Sequence, residues 1–173
     1  SLSSGSDIIR IRILDLYSSL SALSHAWFEV LDGKGYVAKI FLEFTDNEDL
    51  LTRLSTFPLL GKLCSSDKGL EALKKHGIPS KLLAMVDPKS DLSSIIVSNV
   101  ITLVGEIASF NDTAFETLIA ENENFIPILH SYIEHDSDEL VQSVIFALAR
   151  IASTPNGLEL LLQNKYKKLV QDW

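Results

Sequence analysis

The sequence is short of cysteine. Cys64 stands alone among 173 residues, so no internal disulfide can form, and its place in the apolar run Leu59 to Cys64 marks it as a small hydrophobe in the core of a reduced-compartment protein. Cytosol, with the nucleus as a second setting, is the expected compartment. Positive charge is also scarce: fifteen Lys and Arg against twenty-three Asp and Glu give a formal charge of −8. No dense basic stripe offsets it, so a phosphate backbone would be repelled and nucleic acid is not an expected partner. No run of 18 apolar residues occurs, and no basic segment leads into an apolar stretch with a cleavage site, so neither a membrane span nor a secretory signal is read from the chain. Period-two alternation never persists. The one β-rich piece, Ile8 to Leu14, serves equally well as an amphipathic helix with Arg10 and Arg12 outward. What is present is 46% apolar content beside 22% charged residues, the balance of a globular chain with a substantial core.

That apolar content is periodic at two scales. Three stretches, residues 25–66, 67–110 and 111–154, are 42, 44 and 44 residues long and hold the same three parts. The first part is a short helix with a polar or Gly-containing opening, in HAWFEVLD, DKGLEALKKHG and NDTAFETLIAEN, with Asp67 and Asn111 as expected N-caps. The second is a medium helix entered through a turn, in GYVAKIFLEF, GIPSKLLAMV and NFIPILHSYI. Gly35 and Gly77 suit the chain reversal, and Pro79 and Pro127 fall near the first helical turn, where a missing N–H costs little. The third and longest helix has apolar residues three and four apart, as in Val141, Val144, Ile145, Leu148 and Ile151, which predicts burial along one broad face. Pro58 departs from this scheme by lying inside a third helix, where a kink near Phe57 is predicted.

A period of about 40–47 residues with three helices per unit is the signature of armadillo or HEAT architecture. The fold expected is therefore all-α: an armadillo/HEAT-type right-handed α-solenoid of three complete three-helix repeats plus partial flanking repeats. Residues 7–24 form a third helix lacking its first two, and 155–173 begin a further unit. Together, 7–173 form a single repeat domain, with 1–6 as a tag or flexible leader. Because the cuts fall inside units, the chain is expected to be a fragment of a longer protein.

Candidates for chemistry fare poorly. Cys64 lacks a neighbouring His or cation to activate it. His130, Glu134 and His135 supply at most part of a zinc set, which needs about four ligands. Gly61-Lys62 mimics the end of a phosphate-binding loop, yet Thr56 stands where the first glycine belongs, and Asp32-Gly33-Lys34-Gly35 reads as a turn. The acidic run Glu134, Asp136, Asp138 and Glu139 is accounted for by the start of a helix, where negative side chains favour the dipole. No catalytic residue, metal site or cofactor is expected, and the chain is read as a non-enzyme.

Binding residues are better defined. Aligning the third helices on Leu20, Leu63, Ile107 and Ile151 places equivalent exposed positions at offsets −8, −5 and −1 on the concave face. The rungs are Arg12, Asp15 and Ser19; Ser55, Pro58 and Lys62; Asn99, Thr102 and Glu106; Ser143, Phe146 and Arg150. Armadillo proteins that carry nuclear-import signals place Trp and Asn at the last two offsets to hold an extended basic peptide. Their absence here favours a folded protein surface, with Phe146 as an apolar anchor and Arg150, Lys62 and Glu106 as charge complements.

The segments DIIRIRILDLYSSLSALS, GYVAKIFLEFTDNEDLLTRLS, GIPSKLLAMVD, DLSSIIVSNVITLVGEIAS and NGLELLLQ resemble the middle portion of the 26S proteasome non-ATPase regulatory subunit 5 family. The resemblance covers nearly the whole chain after Ser6 and contains no catalytic motif. It implies an assembly chaperone that binds the C-terminal domain of an ATPase subunit of the regulatory-particle base and leaves before the mature proteasome is complete. Two other readings stay open: an armadillo-type Hsp70 nucleotide-exchange factor, and a scaffold or adaptor for extended peptides. In each the chain is expected to be monomeric, cytoplasmic and engaged with protein alone.

Overall fold

The computed structural model describes residues 2–120 and 122–163, with side chains described from Ile8 onward. Among these residues every regular element is a helix. In chain order they are α1 (Leu2–Leu23), α2 (His25–Gly33), α3 (Tyr36–Thr45), α4 (Leu50–Cys64), α5 (Asp67–Lys75), α6 (Ile78–Met85) and α7 (Ser94–Ala108), then α8 (Asp112–Phe115), α9 (Phe125–Ser131), α10 (Asp138–Ala152) and α11 (Pro155–Leu162). A π-helical turn, Glu116–Ala120, continues α8.

Local chemistry explains where these helices start and stop. Gly35 and Gly77 adopt positive φ, 77° and 65°, so the chain reverses after α2 and α5 at the positions expected from the sequence. Before each reversal the helix closes with paired amide bonds: Lys34 N to Val30 O, Gly35 N to Asp32 O, His76 N to Ala72 O and Gly77 N to Lys74 O. N-terminal caps recur with a three-residue reach: Asp49 accepts from the Thr52 amide, Ser66 from Gly69, Asn111 from Ala114 and Thr154 from Gly157. The cap of α5 is thus Ser66 and not Asp67, which occupies the first helical position. A serine hydroxyl one residue earlier reaches the exposed amide, leaving the aspartate to interact with the dipole.

The glycines three residues after two of these caps explain a second recurrence. A Cβ at Gly69 would run into the Leu63 carbonyl, and one at Gly157 into the Ile151 carbonyl. The short first helix therefore sits directly on the last turn of the helix before it. Ala114, fully buried, holds the corresponding place after Asn111.

The helix α1 begins at Leu2 and so takes in residues 2–6 of the segment expected as a tag or leader. Nothing in residues 2–6 blocks extension of a helix already nucleated downstream, and propagation is cheap once nucleation has occurred. In α10 the buried residues are Leu140, Ser143, Val144, Ala147 and Ile151, whereas Val141 and Leu148 are half-buried and Ile145 is 39% exposed. The buried stripe is rotated from the expected one because small residues, Ser143 and Ala147, allow α7 to approach closely. The second helix expected for the last partial unit falls outside the described residues.

The chain forms two compact units, Ser1–Lys81 and Leu82–Trp173, divided within α6. In the first unit α4 is packed on both α1 and α3, around fully buried Phe41, Phe44, Ile40, Leu60 and Leu63. Ser18 satisfies itself in this apolar setting by donating to the Leu59 carbonyl at 3.0 Å. Arg53 donates to the Phe44 and Thr45 carbonyls at 2.8 and 2.7 Å, closing the end of α3. Pro58 lies within α4, which continues through it as one 15-residue helix. Arg10, expected outward, is drawn half inside by buried Glu43, 3.6 Å away.

In the second unit α7 and α10 form the principal pair, and Gly105 sits where α10 crosses. Tyr132 donates to the Val86 carbonyl at 3.0 Å, tying α9 to the segment after α6. At the 153–154 break, α10 and α11 turn through 112°. No single helix among the described residues is long and apolar enough to cross a membrane.

Candidate functional site

The expected binding positions lie on the longest helices, and in the first unit they come together. Lys62 on α4 reaches across to α1, its Nζ 2.6 Å from Asp15 Oδ1 and 3.4 Å from Ser19 Oγ. Three of the nine expected residues therefore form one exposed cluster. Beside it, a groove of 800 Å³ opens between α1 and α4, lined in part by Arg12, Asp15, Ser55 and Pro58. All four are rungs predicted from the repeat offsets. Packing of α1 against α4 buries Leu14 and Leu59, which turns the −8 and −5 positions of both helices to the same side.

The groove also holds residues that the offsets omitted. Ile8 and Leu51 contribute to it and are 59% and 72% exposed. Both stand twelve residues before the reference leucines, Leu20 and Leu63, and Ile95 occupies the same offset on α7. An apolar residue recurring on the outer side of an otherwise amphipathic helix was the available signal. In α10 the offset is filled by Glu139, whose carboxylate accepts from Ser98 Oγ at 3.0 Å.

In the second unit the expected residues are more dispersed. Asn99 and Thr102 are half-buried and donate back to their own helix, Asn99 Nδ2 to the Ile95 carbonyl at 2.6 Å and Thr102 Oγ1 to the Ser98 carbonyl at 2.9 Å. Their polar groups are already engaged. Ser143, placed on the exposed ladder, is buried and donates to the Leu140 carbonyl. Glu106, Phe146 and Arg150 are exposed, and neither Glu106 nor Arg150 forms an ion pair with another described residue. Phe146 keeps 40% of its surface in contact with solvent, which suits a large apolar side chain available to a partner.

The residues tested for chemistry behave as structural groups. Cys64 is buried, and desolvation pushes its thiol well above the ordinary range, which suppresses the nucleophilic thiolate. His130, Glu134 and His135 are exposed, and His135 Nδ1 accepts from the Ser137 amide at 3.1 Å. No group of three metal-ligating side chains forms among the described residues.

Asp32 and Asp46 hold helices together through charge. Burial acts to raise the Asp32 carboxyl, but Lys75, 2.9 Å away, together with His76 outweighs it and leaves the group below its ordinary value. For Asp46 the hydrogen bonds from Lys81, at 2.6 and 2.7 Å, have the largest effect in the same direction. A carboxyl depressed in the folded state binds fewer protons there than in the unfolded chain, so its stabilisation is present above pH 3.8 and is lost as pH falls through the folded value. Urea midpoints are therefore expected to fall between pH 5 and pH 3, roughly the carboxylate titration range, and Asp32→Asn should flatten that fall. An unchanged slope in the variant would remove Asp32 from the account.

Against known proteins, the family model described as "Proteasome non-ATPase 26S subunit" matches residues 1–171. The chain belongs to this family. The resemblance read from its helical segments holds at that level. No curated protein sequence matches the chain. Among solved structures, it is similar to a designed armadillo repeat protein in complex with the peptide (KR)4, at 18% identity and a TM-score of 0.64, over 90% of this chain and 62% of that one. It is also similar to a computationally designed armadillo repeat protein for modular peptide recognition, at 17% identity and a TM-score of 0.57, over 88% of this chain and 63% of that one. The chain thus spans less than two thirds of the length of either. These likenesses establish the fold: an all-helical armadillo-type α-solenoid.

Proposed function

We propose that this family member is a protein-binding armadillo module acting as a chaperone in assembly of the 26S regulatory-particle base, with the C-terminal domain of an ATPase subunit as its partner. The observation that carries the reading is membership of the proteasome non-ATPase family over residues 1–171, joined to exposed rungs on the long helices that mix both charges with an apolar anchor. The proposed repeat units are 25–66, 67–110 and 111–154, each presenting its third helix to the partner. Asp15, Ser19 and Lys62 form one contact cluster beside Arg12, while Glu106, Phe146 and Arg150 present a second set, with Asn99 and Thr102 at its edge.

The mechanism is occupancy. A folded surface covered by the helices is withheld from other partners until the complex dissolves, and no bond is made or broken. Charged rungs set register and encounter rate, whereas Phe146 supplies desolvated area. The chain works as a monomer in the cytoplasm, or in the nucleus as well. Affinity capture of the full-length protein from cells is expected to recover base ATPase subunits without the proteolytic core. Recovery only with finished 26S particles would overturn the chaperone reading, and acceleration of ADP release from Hsp70 would favour an exchange factor instead.

A further inference from the structure

The groove between α1 and α4 carries information about the kind of segment it accepts. Its apolar lips come from one register position on each helix, Ile8 and Leu51, and Pro58 continues the wall two turns along α4. At 59% and 72% exposed, Ile8 and Leu51 leave much apolar surface in water, where covering it is favourable.

The charges around these lips are not equivalent. Asp15 is neutralised by Lys62 at 2.6 Å. Asp49 is committed to the start of α4, its Oδ2 accepting from Thr52 N and Oγ1 at 2.8 and 2.7 Å. Arg12 lies in the same groove, is exposed, and forms no ion pair with another described residue. A guanidinium in that position matches a carboxylate in shape as well as charge. The formal charge of −8 on the whole chain opposes a long acidic tract, which limits the favourable ligand to an isolated acid among apolar residues.

Geometry supplies the spacing. Arg12 stands four residues after Ile8 on one face of α1, which places it about 6 Å further along the helix axis. Two residues of extended chain cover roughly 6.5 Å.

We infer that the α1/α4 groove binds an extended protein segment in which a large apolar residue is followed, two positions away, by a single carboxylate. The apolar side chain lodges against Ile8 and Leu51, the carboxylate meets Arg12, and Pro58 lines the groove further along. This rests on the protein-binding function proposed above and gives the first unit a ligand class of its own.

The test uses the full chain and three fluorescent peptides in a Gly/Ser background, read by anisotropy. One carries leucine and glutamate two residues apart; in the others glutamine or lysine replaces the glutamate. The glutamate peptide is expected to bind about tenfold tighter than either of the others, a difference of roughly 1.4 kcal/mol. Arg12→Glu should reverse the preference between glutamate and lysine, Leu51→Asp should abolish binding of every peptide, and Lys89→Glu, in an exposed turn, should change nothing. Arg12 and Leu51 are exposed, so their variants keep the helical circular-dichroism spectrum of the parent.

Equal or tighter binding of the lysine peptide, or an Arg12→Glu variant with unaltered preference, would overturn the inference. So would a concentration-dependent dimer dissolved by Leu51→Asp, which would make a second copy the occupant. A chain that binds an ATPase domain but discriminates none of the peptides refutes the groove assignment alone. Peptide discrimination without any ATPase partner refutes the proposed chaperone role alone.

Discussion

Gly105→Ala is expected to destabilise the second unit by about 1–3 kcal/mol, although alanine is intrinsically the better helix former by about 1 kcal/mol. The reason is the crossing of α7 and α10. A Cβ at Gly105 would stand 2.6 Å from Ala147 Cα and 2.8 Å from Ala147 Cβ, distances at which backbone, and not a flexible side-chain tip, must move. Separating the helices would loosen the packing of Val104, Ile107, Val144 and Ile151, all of which are buried. Ala147→Gly in the same chain removes only the Cβ contact, so rescue is expected to be partial. Chemical denaturation of the single and double variants measures both effects. A Gly105→Ala protein as stable as the parent would show that the crossing is looser than described.

Phe44→Ala is expected to cost the first unit about 3–5 kcal/mol. Phe44 is fully buried near the end of α3, with the Phe57 ring of α4 at 6.2 Å, while Arg53 of α4 bonds to its carbonyl. Removing the ring leaves a cavity among atoms that the Arg53 bonds hold in place, so little collapse can fill it. A loss of this size is a large part of the stability of an ordinary domain of about 5–15 kcal/mol. Thermal unfolding should show an early transition for the variant. Coincidence with the parent curve would mean that the α3/α4 interface contributes little.

Much of this architecture is legible in the sequence because repeats state each feature more than once. The Gly35 and Gly77 reversals, the third-helix register and the burial of Cys64 all follow from residue type and spacing. The close contacts at Gly69, Gly105 and Gly157 do not, because each depends on which backbone lies opposite. Likewise Ser66 rather than Asp67 caps α5, a choice between adjacent capping residues that only the direction of the first amides decides. The rotated stripe of α10 has the same origin: apolar count favours Val141, Ile145 and Leu148, but the close approach of α7 selects the smaller Ser143 and Ala147.

The surface follows the same division. Offsets from a shared leucine or isoleucine locate Arg12, Asp15, Ser19, Lys62, Glu106, Phe146 and Arg150 on exposed or half-exposed positions. They do not reveal that Lys62 bridges to Asp15, or that Asn99 and Thr102 turn back onto their own helix. Ile8 and Leu51 escape the offsets because residue type alone assigns an apolar residue in an amphipathic helix to the core. Their exposure is evident only when both helices are in place.

Titration of full-length protein with an isolated C-terminal domain of a base ATPase subunit, read by isothermal calorimetry, tests the proposed function most directly. A saturable one-to-one complex is expected, with Lys62→Glu and Phe146→Ala each weakening it by about tenfold or more. Absence of a complex, or one whose affinity is indifferent to both substitutions, would contradict binding through these helices.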